Sequence, residues 1–199
     1  MILEGIITTA GNSPEKPNIA AMGVTLDPAS DFNSNGHLRR FQLKPFEGSL
    51  TFANLKERSE GVFHLVDHAE LLARAALSKV NDAPTIKALH ASAPVLAQAI
   101  SAYEFQVIRA DWSQPRALLD CEVIAVHSLK SWRGWNRAQN AVLELTILAT
   151  RAHMISENEI RSQMESLRPL VEKTAGPEEW SGWNFVVDYL ENFWKQPNE

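Results

Sequence analysis

Short apolar and β-branched runs punctuated by turn residues fill the first two thirds of the chain. ILEGIITTA (2–10) and NIAAMGVTL (18–26) read as strands joined by the loop GNSPEKP. The turn-rich DPASDFNSNG (27–36) leads into HLRRFQLK, where Leu38, Arg40 and Gln42 share one face and His37, Arg39, Phe41 and Leu43 the other. Three strands with short connections predict an antiparallel meander. The spacing then turns helical in FEGSLTFANLKER (46–58), with Leu50, Phe52 and Leu55 on an apolar side, and Gly61 ends it. VFHLV (62–66) reads as a short buried strand, and DHAELLARAAL as a helix whose Asp67 and Glu70 form a capping box.

NDAPTIKALHASAPVLAQAIS (81–101) fits helix and loop equally, although Pro84 and Pro94 exclude one long helix. Strands resume in AYEFQVIRADW (102–112), where Tyr103, Phe105 and Val107 alternate with Glu104, Gln106 and Ile108, and in LLDCEVIAVHSLK (118–130). About six strands around helical insertions predict a closed antiparallel barrel. From residue 136 the pattern is helical. NRAQNAVLELTILATRAH is followed by SENEIRSQMESLRPLVEK, with Ser156 and Glu159 as a second capping box and Pro169 set to bend or end it. The last helix, GPEEWSGWNFVVDYLENFW, has Pro177 placed for its first turn. The expected division is a barrel over 1–135 and a helical extension over 136–199, with SWRGWN at the boundary.

Composition narrows the function. Of 199 residues 45% are hydrophobic and 22% charged, an ordinary balance for a globular protein with a sizeable core. A net charge of −5 argues against a protein that coats nucleic acid. The single cysteine, Cys121, forbids an internal disulfide and reads as a buried, inert thiol. No stretch reaches the roughly 18 apolar residues of a membrane span, and the N-terminus lacks a basic leader, so a cytoplasmic protein is expected.

Glycine-rich nucleotide loops, the nucleophile elbow and paired cysteines are absent. His64 and His68 have H-x-x-x-H spacing but straddle a strand end and a helix cap, so no metal site is expected. GSLTFANL is more informative. A helix start exposes free N–H groups and a positive dipole end, which favour a phosphate. Ser49, Thr51 and Asn54 add hydrogen-bonding side chains, and Arg39, Arg40 and Lys44 lie just upstream. Helix capping explains the same residues equally well. In NIAAMGV, Ala20, Ala21 and Gly23 around Met22 would let backbone approach a flat ligand, or simply pack within a tight barrel. Six tryptophans point to core or interface packing more than to ring stacking.

Taken in order, EGIITTAG, NIAAMGV, LRRFQLKPFEGSLTFANL, VFHLVDH and NRAQNAVLELTILATRAH resemble the flavin-reductase-like FMN-binding split barrels, in their uncharacterised branch with a C-terminal helical extension. The resemblance spans roughly residues 4 to 153. It implies a homodimer of six-stranded barrels, with FMN near the subunit interface and the extension packing on barrel and partner. It also implies that Ser49, Thr51 and Asn54 hold the phosphate, with Arg40 or Lys44 as charge partner. Met22, Gly23 and Val24 would offer backbone to the ring, and Asn136 and Arg137 are second-rank contacts. Two departures accompany it: His64 stands where the family usually has Asn, and Glu47 lies close to the expected anion. The implied function is a flavin-dependent oxidoreductase acting on flavin or a small molecule, with NAD(P)H as one donor. The alternative is a non-catalytic flavin store, sensor or scaffold. No catalytic residue stands out.

Overall fold

The computed structural model describes residues 1–11, 17–80 and 82–195, so most of the expected GNSPEKP loop and Asn81 lie outside the described residues. The chain forms two compact units, Met1–Val66 with Asn81–Ser131, and Asp67–Val80 with Trp132–Glu199.

The first unit is built from β1 (Ile2–Leu3), β2 (Ile6–Thr9), β3 (Asn18–Ala21), β4 (Val24–Thr25), β5 (Arg40–Leu43), β6 (Glu60–Leu65), β7 (Thr85–Ile86), β8 (Val95–Leu96), β9 (Ser101–Asp111) and β10 (Leu118–Ser128), with helix α1 (Leu50–Glu57). Its main sheet runs β1-β4-β5-β10-β9-β6-β2-β3, and every pairing in it is antiparallel. The two ends of that order belong together. Ile2 opposes Thr25, Leu3 opposes Val24, Ile6 opposes Ala21 and Thr9 opposes Asn18, one unbroken register. The Met22 amide donates to the Gly5 carbonyl (3.0 Å) across the gap. β1 and β2 are therefore one bent strand, β3 and β4 its bent partner, and six chain segments close into an antiparallel split barrel. NIAAMGVTL, expected as one strand, bends at Met22–Gly23, where β4 gains β5 as a second neighbour while β3 has only β2.

β9 and β10 are the long walls, and register shifts at Asp120/Cys121 and Val123/Ala125 curl them. Inside pack Ile7, Val24, Phe41, Leu43, Phe63, Phe105 and Leu119, all nearly inaccessible. Phe41 meets Phe105 edge-on with centroids 5.3 Å apart. Each such side chain contributes roughly 1.5–3 kcal/mol on burial. Cys121 lies in this core, and burial pushes its thiol pKa well up, which makes it unreactive. The ambiguous 81–101 stretch forms the β7–β8 hairpin rather than a helix.

The second unit comprises α2 (Ala69–Ala76), α3 (Arg137–Thr150), α4 (Glu157–Thr174) and α5 (Pro177–Lys195). Ala73, Ala141, Val142, Leu145, Ile160, Val171, Trp183, Val186 and Leu190 form its core. Ser156 caps α4 through the Glu159 amide and Pro177 opens α5, both as expected. Pro169 does not end the helix, since α4 continues to Thr174. The capping box expected from Asp67 is corrected: His68 is the N-cap of α2, its Nδ1 accepting from Leu71 N (3.2 Å). Asp67 instead accepts from Arg133 Nε (2.9 Å), and Glu178 takes another bond from that guanidinium. Among the described residues no helix is long and apolar enough to cross a membrane.

Candidate functional site

Thr9 closes β2 and stands opposite Asn18, which opens β3. α1 packs against both strands. Ser49 begins the helix with extended backbone, and its Oγ accepts from Phe52 N (3.1 Å), a conventional cap. That cap leaves Thr51 and Asn54 facing the strands. Asn18 Nδ2 donates to Thr51 Oγ1 (2.9 Å) and more distantly to Thr9 Oγ1 (3.3 Å), while Asn54 Nδ2 donates to Thr9 Oγ1 (3.0 Å). Both threonines are almost fully buried. Each hydroxyl oxygen acts as acceptor in these bonds, and among the described residues its own proton has no acceptor. A Cβ at Gly11 would come 2.7 Å from Asn54 Oδ1, so a side chain there would push the Asn54 amide out of its present position. The result is a cradle of two hydroxyls and two amides beside the N-terminal turn of α1, suited to an acceptor-rich anion.

The remaining expected residues are placed elsewhere. Arg40 projects from β5 and donates to Glu122 Oε1 on β10 (3.0 Å). It lines a cavity of about 400 Å³ with Asp27, Asp31, Gln42, Asp120 and Ile108. Lys44 is exposed, as is Glu47, whose amide donates to the Pro115 carbonyl. Met22 packs against the barrel core and Val24 is fully buried. At Gly23 a Cβ would lie 2.8 Å from Ile2 Cγ2, so the missing side chain serves strand packing at the bend. Asn136 is the N-cap of α3, accepting from Ala138 N and donating to the Thr174 carbonyl. Arg137 is exposed on the first turn, and both residues belong to the helical unit.

Thr9 and Asn18 were not singled out by sequence. The only available signal was a Thr-Thr pair just before Gly11 and a polar residue opening an apolar strand. Glu104 was also missed. Alternation set it opposite Tyr103 and Phe105, yet it is wholly buried like them and accepts from three successive amides, Leu89 (2.6 Å), His90 (2.7 Å) and Ala91 (2.8 Å). Its carboxylate also lies 2.6 Å from His127 Nε2. Burial opposes its ionisation, but the Ala91 and Leu89 amides, His127 and the His90 amide outweigh that and hold its pKa below the usual glutamate range. Among the described residues no group of three or more histidine, cysteine or acidic side chains is placed to hold a metal.

A closed six-stranded split barrel with a polar cradle at its first helix, followed by a helical region, defines the class. Within it the chain belongs to the DUF447 family of proteins of unknown function: the family's N-terminal domain matches residues 3–130 and its C-terminal part residues 136–187. The fold is similar to that of an FMN-bound DUF447 protein from Methanosarcina mazei, at 23% identity, 94% coverage of both chains and a TM-score of 0.76. It is also similar to an FMN-binding protein from Thermus thermophilus solved with 1-cyclohex-2-enone (16% identity, 63% of this chain and 70% of that one, TM-score 0.52). A Streptomyces globisporus NADH:FAD oxidoreductase is similar at 14% identity over 64% of this chain and 71% of that one, with a TM-score of 0.51. No curated protein matches the sequence.

Proposed function

We propose that this protein binds FMN, with the phosphate seated in the Thr9–Asn18–Thr51–Asn54 cradle, and works as a flavin-dependent oxidoreductase. The observation that carries the reading is the cradle itself, on a fold whose family includes an FMN-bound protein of nearly the same extent. The donor set fits a phosphate monoester. Two buried hydroxyl protons point to no protein acceptor among the described residues, and the amides of the first turn of α1 add the dipole's positive end. Ser49 holds that turn in place, and Lys44 is the remaining candidate for a charge partner, since Arg40 is paired with Glu122. Met22, Gly23 and Val24, at the bend between β3 and β4, would offer backbone to the ring. The bound flavin would supply the electron-transfer chemistry, while these side chains orient and anchor it.

The working unit is a homodimer in a cytoplasmic setting. Ile108, Ile124 and Val126, exposed on the long strands β9 and β10, are apolar side chains that a second copy would cover. The purified protein should absorb between roughly 350 and 500 nm or acquire that absorbance on FMN titration. A colourless protein with no FMN affinity would refute the reading. NAD(P)H is the donor to test first, with a small organic molecule or free flavin as acceptor.

One observation favours a non-catalytic store, sensor or scaffold: the cradle contains only neutral hydroxyls and amides, without an acid or base. Stoichiometric FMN binding without turnover by either nicotinamide would select that alternative.

A further inference from the structure

The β7–β8 hairpin and its loop, residues 85–96, are held by barrel side chains rather than by a long ladder. Thr8 Oγ1 donates to the Pro94 carbonyl (2.7 Å). Glu60 accepts from the Ser92 amide and hydroxyl, and Arg58 donates to Ser92 Oγ. Glu104 accepts the amides of residues 89–91. At the far end, the Leu96 amide donates to His64 Nε2 (3.0 Å). That bond requires a bare Nε2, so the ring proton sits on Nδ1 and is donated to the Ile6 carbonyl (3.0 Å). Beneath the segment Ala88, Ala93 and Val95 cover Ala10, Val62 and Ala102 in a small separate apolar cluster.

We propose that residues 85–96 are an acid-released strap, unlatched in two stages. Protonation of His64 destroys the acceptor for Leu96 and frees the β8 end, while Glu104 still grips the loop at 89–91. His64 is completely inaccessible and its ring bonds the Ile6 carbonyl and the Leu96 amide, so burial penalises a proton there more than the Ile6 carbonyl offsets it. The titratable and charged groups that hold or make up the strap are Glu60 at the start of β6, Arg58 just before it, Glu104 on β9, His127 on β10, and Lys87 and His90 within the strap. A charged His127 further opposes a second positive charge on His64.

The signs follow from the two groups. Burial, the largest influence, lowers His64 from 6.5 to about 4, so the opened form takes up the proton first and opening grows as pH falls from 6.5 towards 4. Glu104 is held below its usual range, so its grip outlasts that interval. What opens is the surface of Val62 and Ala102 on the barrel wall.

Hydrogen exchange on the full-length protein between pH 7 and 4, corrected for the intrinsic pH dependence, tests this. The opening constant at the Leu96 amide should rise by about 100-fold over this range, because a shift from 6.5 to about 4 gives its full ratio only below pH 4. Over the same range the amides of Leu89, His90 and Ala91 and the β9–β10 ladder should keep their protection. Constant protection at Leu96, or its loss together with 89–91, would overturn the proposal. His64→Gln, which keeps a non-titrating acceptor, should flatten the dependence. Should that variant not fold, nitrogen-15 shifts of the wild-type imidazole decide instead. An Nδ1–H tautomer persisting to about pH 4 supports the strap, and ordinary titration near 6.5 with the strap closed refutes it.

Discussion

Thr51 sits in the first turn of α1 with its hydroxyl buried against Asn18, a polar choice at a position where valine would fill the same volume. Thr51→Val should weaken FMN binding by about 1 kcal/mol or more, the scale of a lost hydrogen bond to a charged group. Fluorescence titration measures it, and unchanged affinity would remove Thr51 from the site. Glu104 makes a contrasting case. Its stabilising contribution is complete above the usual glutamate range and declines as pH falls through its lowered value. Glu104→Gln presents an amide to three N–H donors and should cost about 3 kcal/mol at neutral pH, measured by denaturant unfolding. Thr51 and Asn54 were legible because polar residues interrupted an apolar helical face. Thr9 and Asn18 were not, since their meaning depends on strands that meet only after folding. Glu104 was missed because the 85–96 segment covers the face opposite Tyr103 and Phe105.

At the scale of elements, capping chemistry was readable and strand continuity was not. Ser49, Ser156 and Pro177 announced helix starts by side-chain chemistry that acts within three or four residues. His68 displaced the more obvious Asp67 because the aspartate is engaged by Arg133, a partner distant in sequence. The bend in NIAAMGVTL falls where β4 gains β5 as a second neighbour, again a property of the closed sheet. Ser49→Ala should lower stability by about 1 kcal/mol through loss of the Phe52 amide's partner. If the turn also positions the phosphate, FMN affinity falls with it. An equilibrium melt with and without FMN separates the two effects, because ligand adds stability only where it binds.

At the scale of the whole molecule, the six-segment barrel and the helical region were both legible from hydrophobic period alone. Their division in space was less so, since α2 lies in sequence between barrel strands and folds with the helices. Trp183, at 1% exposure, packs in the helical core rather than on a surface. Trp183→Ala should cost about 3–5 kcal/mol and lower the unfolding midpoint of the helical unit, followed by circular dichroism at 222 nm. The exposed Ile108, Ile124 and Val126 make sedimentation the matching measurement for the intact protein. A charged residue at Val126 should shift a dimer towards monomer without unfolding the barrel.

The discontinuous helical unit also fixes an order of events during synthesis. Asp67–Val80 leaves the ribosome well before Trp132–Glu199, the chain it must pack against. Until then Ala69, Ala73 and Leu77, which pack in the helical core, have no folded counterpart in their own unit. Translation paused near Ser131 would therefore hold an amphipathic segment in search of a partner, a natural substrate for a chaperone. Severing the gene at the boundary between the two family domains would make that state permanent.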